Sequence, residues 1–246
     1  MNELFSLKGK SVLVVGASSG IGKHAAKLFA ERGAHLLLAA RRKPLLDSLA
    51  SEIGAKSFYV DVTQSNTITT LLEQIGTIDV LLNTTGINVR KPALEHTEED
   101  WDRLMATNLK GAWSLNQAVI KHMVSHKTKG KLINMGSIYG TVTCKDYALY
   151  ATSKAGIEHL TRSLALESAP YGIHVNAIAP GYIETELNRD YLKNVIGSLV
   201  IERTPLGRMG NLKDLDGVLL LLASNASDYI TGSTINVDGG CSTHRF

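Results

Sequence analysis

Cysteine is scarce in this chain. Only Cys144 and Cys241 occur in 246 residues, so no disulfide framework is available and a reducing, cytoplasmic compartment is expected. Long apolar runs are missing too. The longest, 218–223, is far too short for a transmembrane helix. The first ten residues lack the charged start and apolar core of a secretory signal, which adds to the expectation of a soluble protein. Neither sign of charge dominates. The net charge is +3 and the basic residues are scattered, which argues against a nucleic-acid partner. Their densest stretch, 121–131, is expected to form the solvated end of a helix and its loop. Repeats and low-complexity segments are absent. Charged residues make up 20% of the chain and hydrophobic ones 44%, enough for a large core and too apolar for extensive disorder.

Short apolar runs alternate from end to end with helical patterns. The segments 11–15, 34–40, 56–60, 78–82, 131–135, 173–179 and 233–237 read as strands. Their nearly continuous apolar character suits strands covered on both faces. Between them lie helices such as 21–31, with Ile21, Ala25, Leu28 and Phe29 at helical spacing. This alternation predicts an α/β fold: a single Rossmann-type domain over 1–246, a doubly wound parallel sheet of about seven strands with helices on both faces. The segment 184–208 breaks the rhythm. It mixes polar and apolar residues with Gly197, Pro205 and Gly207 directly after a strand, a position suited to a substrate lid.

The first strand runs into Gly16-Ala17-Ser18-Ser19-Gly20-Ile21-Gly22 and then a helix. Glycines there let the backbone approach a pyrophosphate whose charge is favoured at a helix N-terminus, so a nucleotide is expected. The second strand ends in Ala40-Arg41-Arg42 without the carboxylate that would accept from a ribose 2′-hydroxyl. Two guanidiniums suit a 2′-phosphate, which points to NADP(H). The alternative is that they only open a solvated helix.

Tyr150 and Lys154 stand four residues apart in a helical stretch, thirteen or more beyond Ser137 at the end of an apolar strand. Residues at that spacing share a helix face, and a nearby ammonium favours a phenolate. Tyr150 is therefore a candidate acid–base group whose pKa Lys154 is expected to lower. Asn108 falls on the inward stripe of a helix carrying Trp101, Leu104, Met105, Ala112, Leu115, Val119 and Met123. It reads as functional there, as a structural amide in a kinked helix, or as both, since the two roles are compatible. His122 and His126 have metal-ligand spacing but no third ligand, and no metal site is expected.

With these features together, the chain resembles the short-chain dehydrogenase/reductase family along essentially its whole length. Asp61-Val62 matches the family's adenine-contacting pair, and Asn83-Thr84-Thr85-Gly86 stands where the family has Asn-Asn-Ala-Gly. Asn108, Ser137, Tyr150 and Lys154 match the catalytic four. Pro180-Gly181 and Ile183-Glu184-Thr185 match the nicotinamide-side segment, and Tyr229 to Gly232 and Val237 to Gly240 complete the pattern. Val15 departs from the family's usual Thr before the glycine loop, whose hydroxyl normally bonds to the segment at 83–86. Thr84 or Thr85 is the candidate replacement.

The resemblance implies hydride transfer between NADP(H) and a carbonyl carbon. Tyr150 would move the proton, Ser137 would hydrogen-bond the same oxygen, and Lys154 would lower the Tyr150 pKa and bind the nicotinamide ribose. Asn108 would hold a relay water. Cofactor contacts are implied at Gly16, Ser18, Ser19, Gly20, Ile21, Gly22, Arg41, Arg42, Asp61, Val62, Asn83, Thr84, Gly86, Tyr150, Lys154, Pro180, Gly181, Ile183 and Thr185. Arg90, Tyr139, Thr141, Lys145, Tyr147 and Tyr182 are candidate pocket residues. The segments 87–92 and 214–217 are similar to those of sugar-acid dehydrogenases such as gluconate 5-dehydrogenases. A 3-oxoacyl-carrier-protein reductase is the alternative, with Thr128 and Tyr171 where its docking arginines usually stand, though Lys127 and Lys129 lie beside the first. A non-catalytic NADP(H) sensor is a further alternative of another class. The family's habit implies a homo-oligomer, commonly a tetramer, acting on a small molecule and not on a membrane.

Overall fold

A computed structural model describes residues 3–185 and 197–243. Seven strands form one parallel sheet in the order β3-β2-β1-β4-β5-β6-β7. They are β1 Ser11–Val15, β2 His35–Ala40, β3 Lys56–Tyr59, β4 Val80–Asn83, β5 Lys131–Met135, β6 His174–Pro180 and β7 Thr234–Val237. All seven expected strands are present, with ends displaced by a residue or two. Asn83, expected just beyond the fourth strand, is its last residue.

The sheet is covered on both faces because successive side chains alternate across it. Val12 and Val14 of β1 enter one core with Phe29, Leu38 and Leu82. Leu13 and Val15 enter the other with Leu81, Leu115 and Leu132. Each fully buried Val or Leu contributes roughly 1.5–3 kcal/mol by leaving water. Helices α1 Gly20–Glu31 and α2 Lys43–Ile53 follow β1 and β2, and α3 Ser65–Gln74 follows β3.

The sheet order reverses between β1 and β4, so the loops after those strands diverge and leave a crevice at their C-terminal ends. The chain returns to that edge after β1, β4, β5 and β6. The crevice is therefore built from the glycine loop, residues 84–88, Gly136-Ser137 and 181–185.

The expected single helix over 101–123 is instead three pieces. Thr97 and Asp100 form a reciprocal capping box at the start of α4 Glu98–Met105, a π-helical turn spans Ala106–Lys110, and α5 Gly111–Ser125 continues. In that turn the Gly111 amide donates to the Ala106 carbonyl. A Cβ at Gly111 would lie 2.9 Å from the same oxygen, so the wide turn needs a glycine at its end. Lys131 opens β5 as the expected strand 131–135 has it, but it is buried rather than solvated, and its ammonium donates to Ser227 Oγ and Asp228 Oδ1 at 3.0 and 2.8 Å.

The segment 184–208 is described in part. Glu184 donates its amide to the Gly210 carbonyl, a short helix covers Gly197–Arg203, and Thr204 to Leu206 pack on Gly239 and Gly240. The remainder of the expected lid, 186–196, lies outside the described residues.

Candidate active site

A cavity of about 560 Å³ opens at the switch point. Its lining includes every cofactor residue expected from the sequence except Asn83. Ser137 lines it too, whereas Asn108 stands behind the wall.

The glycine loop closes one end. Gly16 has φ +91°, and a Cβ on it would lie 2.5 Å from Thr84 Oγ1. A Cβ on Gly22 would meet the same oxygen and the Gly16 carbonyl at 2.5 Å, so the loop and helix approach each other too closely for any side chain. The amide and hydroxyl of Thr84 both donate to the Val15 carbonyl at 2.9 Å. That hydroxyl supplies the tie across the two loops that Val15 cannot make with its own side chain. Asn83 shapes the next turn from behind, its Oδ1 accepting from the amide and hydroxyl of Thr85 at 3.1 and 2.7 Å.

Helix α1 begins at the cavity with Ser19 as its N-cap, but the Ser19 side chain does not cap it and no acidic residue stands in its first turn. The Ser18 and Ser19 hydroxyls accept instead from the Arg42 guanidinium, at 2.9 and 2.5 Å. Arg41 and Arg42 are exposed at the rim. Asp61 and Val62 line the same side. Asp61 Oδ1 accepts from the amide and hydroxyl of Thr63 at 3.0 and 2.7 Å, which fixes its turn. A backbone-lined cradle at a helix start, flanked by two arginines and lacking a competing carboxylate cap, fits the pyrophosphate and 2′-phosphate of a dinucleotide.

The other end is built from side chains. Helix α6 Ala148–Ser168 carries Tyr150 and Lys154, and Ser137 caps the short 3₁₀ turn Ile138–Gly140, its hydroxyl accepting from the Tyr139 amide at 3.2 Å. The Ser137 hydroxyl stands close enough to the Tyr150 phenol to favour its ionised form. The Lys154 ammonium lies 5.6 Å from the Tyr150 ring centre and donates to the Met135 carbonyl at 2.8 Å. That carbonyl left no mark in the sequence pattern, because any residue at 135 would present it. Burial lowers the Lys154 pKa from 10.5 to about 8.

The expected lowering of the Tyr150 pKa is not found. Burial raises it, the Ser137 hydroxyl opposes the rise, and the neighbouring Tyr147 phenol adds to it. The ammonium lies over the face of the ring and is held by a carbonyl, and burial is the largest influence on the phenol. Asn108 is 1% exposed, and its amide is already engaged: Oδ1 accepts from the Ile87 amide at 2.8 Å, while Nδ2 donates to the Ile87 carbonyl at 2.9 Å and to Ser153 Oγ at 3.1 Å. It pins Ile87 to the π turn and α6, which is the structural alternative its place on the stripe had left open.

Of the candidate pocket residues, Tyr139, Tyr147 and Tyr182 line the cavity, and Thr141 and Lys145 are exposed away from it. Arg90 is outside the lining, 3.6 Å from Asp146 Oδ2 and 5.7 Å above the Tyr147 ring. Ile87 and Asn88 line the pocket without having been singled out; only their place after the Gly86 turn could have pointed to them. His122 and His126 spend ring nitrogens on backbone carbonyls, at Gly76 and His122, 2.8 Å each. Among the described residues no helix is long and apolar enough to cross a membrane.

A parallel sheet with the nucleotide cradle at its switch point, beside a Ser–Tyr–Lys cluster, defines a dinucleotide-binding α/β oxidoreductase. The family model described as enoyl-(acyl carrier protein) reductase matches residues 16–242. The chain belongs to the short-chain dehydrogenase/reductase family. It is 38% identical to a 3-oxoacyl-(acyl-carrier-protein) reductase of Thermotoga maritima over 95% of this chain and 98% of that one. It is 34% identical to the gluconate 5-dehydrogenase of Gluconobacter oxydans, over 97% of this chain and 96% of that one. Among solved structures, a gluconate 5-dehydrogenase from Burkholderia cenocepacia, in complex with NADP and tartrate, superposes with TM-score 0.94 at 34% identity, covering 99% of each chain.

Proposed function

We propose that the protein interconverts a ketone and a secondary alcohol with NADP(H), on a sugar acid or a similar small hydroxylated compound. The observation that carries this reading is one cavity joining the glycine cradle and Arg41–Arg42 to Ser137, Tyr150 and Lys154. The NADP complex of the Burkholderia relative supports the cofactor assignment. In this reading Gly16 to Gly22 hold the pyrophosphate, Arg41 and Arg42 the 2′-phosphate, and Asp61 and Val62 the adenine side. Thr84, Gly86, Tyr150, Lys154, Pro180, Gly181, Ile183 and Thr185 hold the nicotinamide half.

When bound, the dinucleotide supplies or accepts the hydride. In reduction, Tyr150 Oη gives its proton to the carbonyl oxygen, and hydride plus proton balance the conversion of ketone to alcohol. Ser137 Oγ hydrogen-bonds that oxygen as charge develops. Lys154 keeps two ammonium protons beyond the one given to Met135. It places positive charge beside the phenol as the proton leaves. Asn108 acts as a positioning residue through Ile87.

Following NADPH absorbance with a panel of carbonyls tests the proposal. Oxidation of NADPH in the presence of 5-keto-D-gluconate or a similar hydroxylated ketone is expected. A second reading, reduction of 3-oxoacyl thioesters, is favoured by the identity to the Thermotoga enzyme, and turnover confined to thioesters would select it. NADPH binding with no turnover on either class would leave the non-catalytic sensor. The same reading includes self-association into a dimer or tetramer, supported by Trp101 and Trp113, each 44% exposed on α4 and α5. A monomeric mass in light scattering at micromolar concentration would remove that part.

A further inference from the structure

The carbonyl end of the cavity has an unusual lining. Three phenols besides Tyr150 converge there from separate segments: Tyr139 after β5, Tyr147 before α6 and Tyr182 after β6. The Tyr139 ring centre is 4.7 Å from that of Tyr147, 6.3 Å from that of Tyr150 and 6.2 Å from that of Tyr182. Tyr139 and Tyr182 are bonded hydroxyl to hydroxyl at 2.5 Å. The Asn88 side chain lies beside Tyr147 and favours its ionised form.

Cations stand behind this wall rather than in it: Arg90 and Arg203 each favour the charged form of a neighbouring phenol, at Tyr147 and Tyr182. Arg41, Arg42 and Lys154 are the basic residues of the described lining; the arginines belong to the dinucleotide cradle, and Lys154 is tied to Met135. Arg90 lies outside the lining with Asp146 beside it. Among the described lining residues, the wall next to the reacting carbon therefore offers neutral hydroxyl and amide groups on aromatic faces. Burial is the largest influence on all three phenols and raises them, so they stay protonated donors at neutral and mildly alkaline pH.

A phenol has one proton to donate and two lone pairs to accept with. When Tyr139 and Tyr182 bond each other, one proton is used between them; with the Cys144 thiol beside Tyr139, the pair retains a second proton and lone pairs. A group with both donor and acceptor character satisfies that remainder; a substrate hydroxyl is such a group, and a methylene is not. We infer that Tyr139 and Tyr182 are specificity-determining residues that read a hydroxyl on the carbon next to the reacting carbonyl, selecting α-hydroxy ketones over plain ketones. This rests on the proposed function, whose proton transfer at Tyr150 places the carbonyl beside the pair, and it narrows the substrate class of that site.

Erythrulose and 2-butanone share a four-carbon ketone skeleton and differ only in hydroxyl groups, so they make the matched test. In the NADPH assay, Tyr139→Phe and Tyr182→Phe are each expected to lower kcat/KM for erythrulose about three- to tenfold, mainly through KM. The value for 2-butanone should stay within about twofold. An equal loss on both ketones would assign the pair to structure alone, and no loss on either would overturn the inference outright. Calorimetric titration of erythrulose into the protein loaded with NADP separates this outcome from a failure of the proposed function. If wild type turns over no ketone yet binds erythrulose, and either Phe variant weakens that binding, the hydroxyl pair stands while the catalytic reading falls. Absence of erythrulose binding to the loaded wild type would remove the pair.

Discussion

The two ends of the cavity are built on opposite principles. The dinucleotide end is mostly backbone: Gly16 and Gly22 are held where a Cβ would meet Thr84 Oγ1 at 2.5 Å, and the helix start is left without a side-chain cap. The carbonyl end is mostly side chain, with Tyr150, Lys154, Ser137 and three further phenols gathered from separate loops and one helix. Backbone geometry tolerates no substitution but asks little of its surroundings, and it recognises a ligand common to many enzymes. Buried titratable side chains can be exchanged without breaking the fold, and burial shifts their proton affinities. Chemistry and selectivity are therefore concentrated at the end that is easiest to alter.

Four measurements would break or sharpen this contrast. The largest effect is expected for Tyr150→Phe, which should lower kcat by about a hundred- to ten-thousandfold while weakening NADPH binding by no more than about threefold in a fluorescence titration, one hydrogen bond among many being lost. Retained turnover would mean that another group moves the proton. Gly22→Ala should do the reverse. Its methyl meets the Gly16 carbonyl and Thr84, so about 1–3 kcal/mol of stability should be lost in urea melts, with nucleotide affinity falling alongside. An unchanged melt would show that the cradle yields.

Arg42→Ala is expected to weaken NADPH about tenfold and leave NADH affinity nearly unaltered. Equal weakening of both cofactors would limit Arg42 to bracing Ser18 and Ser19. The smallest effect concerns pH. The Lys154 pKa of about 8 in the folded protein lies below its ordinary 10.5. Below the lower value the residue is charged in both states, and the full burial penalty is present. Between the two values the unfolded chain still holds the proton that the folded protein has released, so rising pH stabilises the fold through this group. The stability of wild type relative to Lys154→Met should therefore climb from about pH 8 to about pH 10.5. A flat difference would place the ammonium in contact with water.

Most of the sheet and the cradle could be read along the chain, because both rest on local regularities. Strands buried on both faces leave continuous apolar runs, and a tight approach of loop and helix demands glycine at fixed spacing. Asn108 shows where that legibility stops. Its place on an inward stripe is visible in the sequence, but its partners, the backbone of Ile87 and the hydroxyl of Ser153, lie twenty-one and forty-five residues away. The π turn that carries it interrupts a pattern that reads as one continuous helix. The burial of Lys131 went unseen for the same reason, although its place in a strand was legible, since Asp228 reaches it from ninety-seven residues away.

By itself, then, the sequence determined the sheet, the glycine loop and the pairing of Tyr150 with Lys154 on one helix face, because each follows from the spacing of near neighbours. Only the tertiary structure decided what those groups experience. It tied Lys154 to a backbone carbonyl, left burial as the dominant influence on the Tyr150 phenol, paired Arg90 with Asp146 outside the pocket and joined the hydroxyls of Tyr139 and Tyr182. Desolvation and hydrogen bonding depend on atoms brought from distant segments, and no local pattern in the chain encodes their distance.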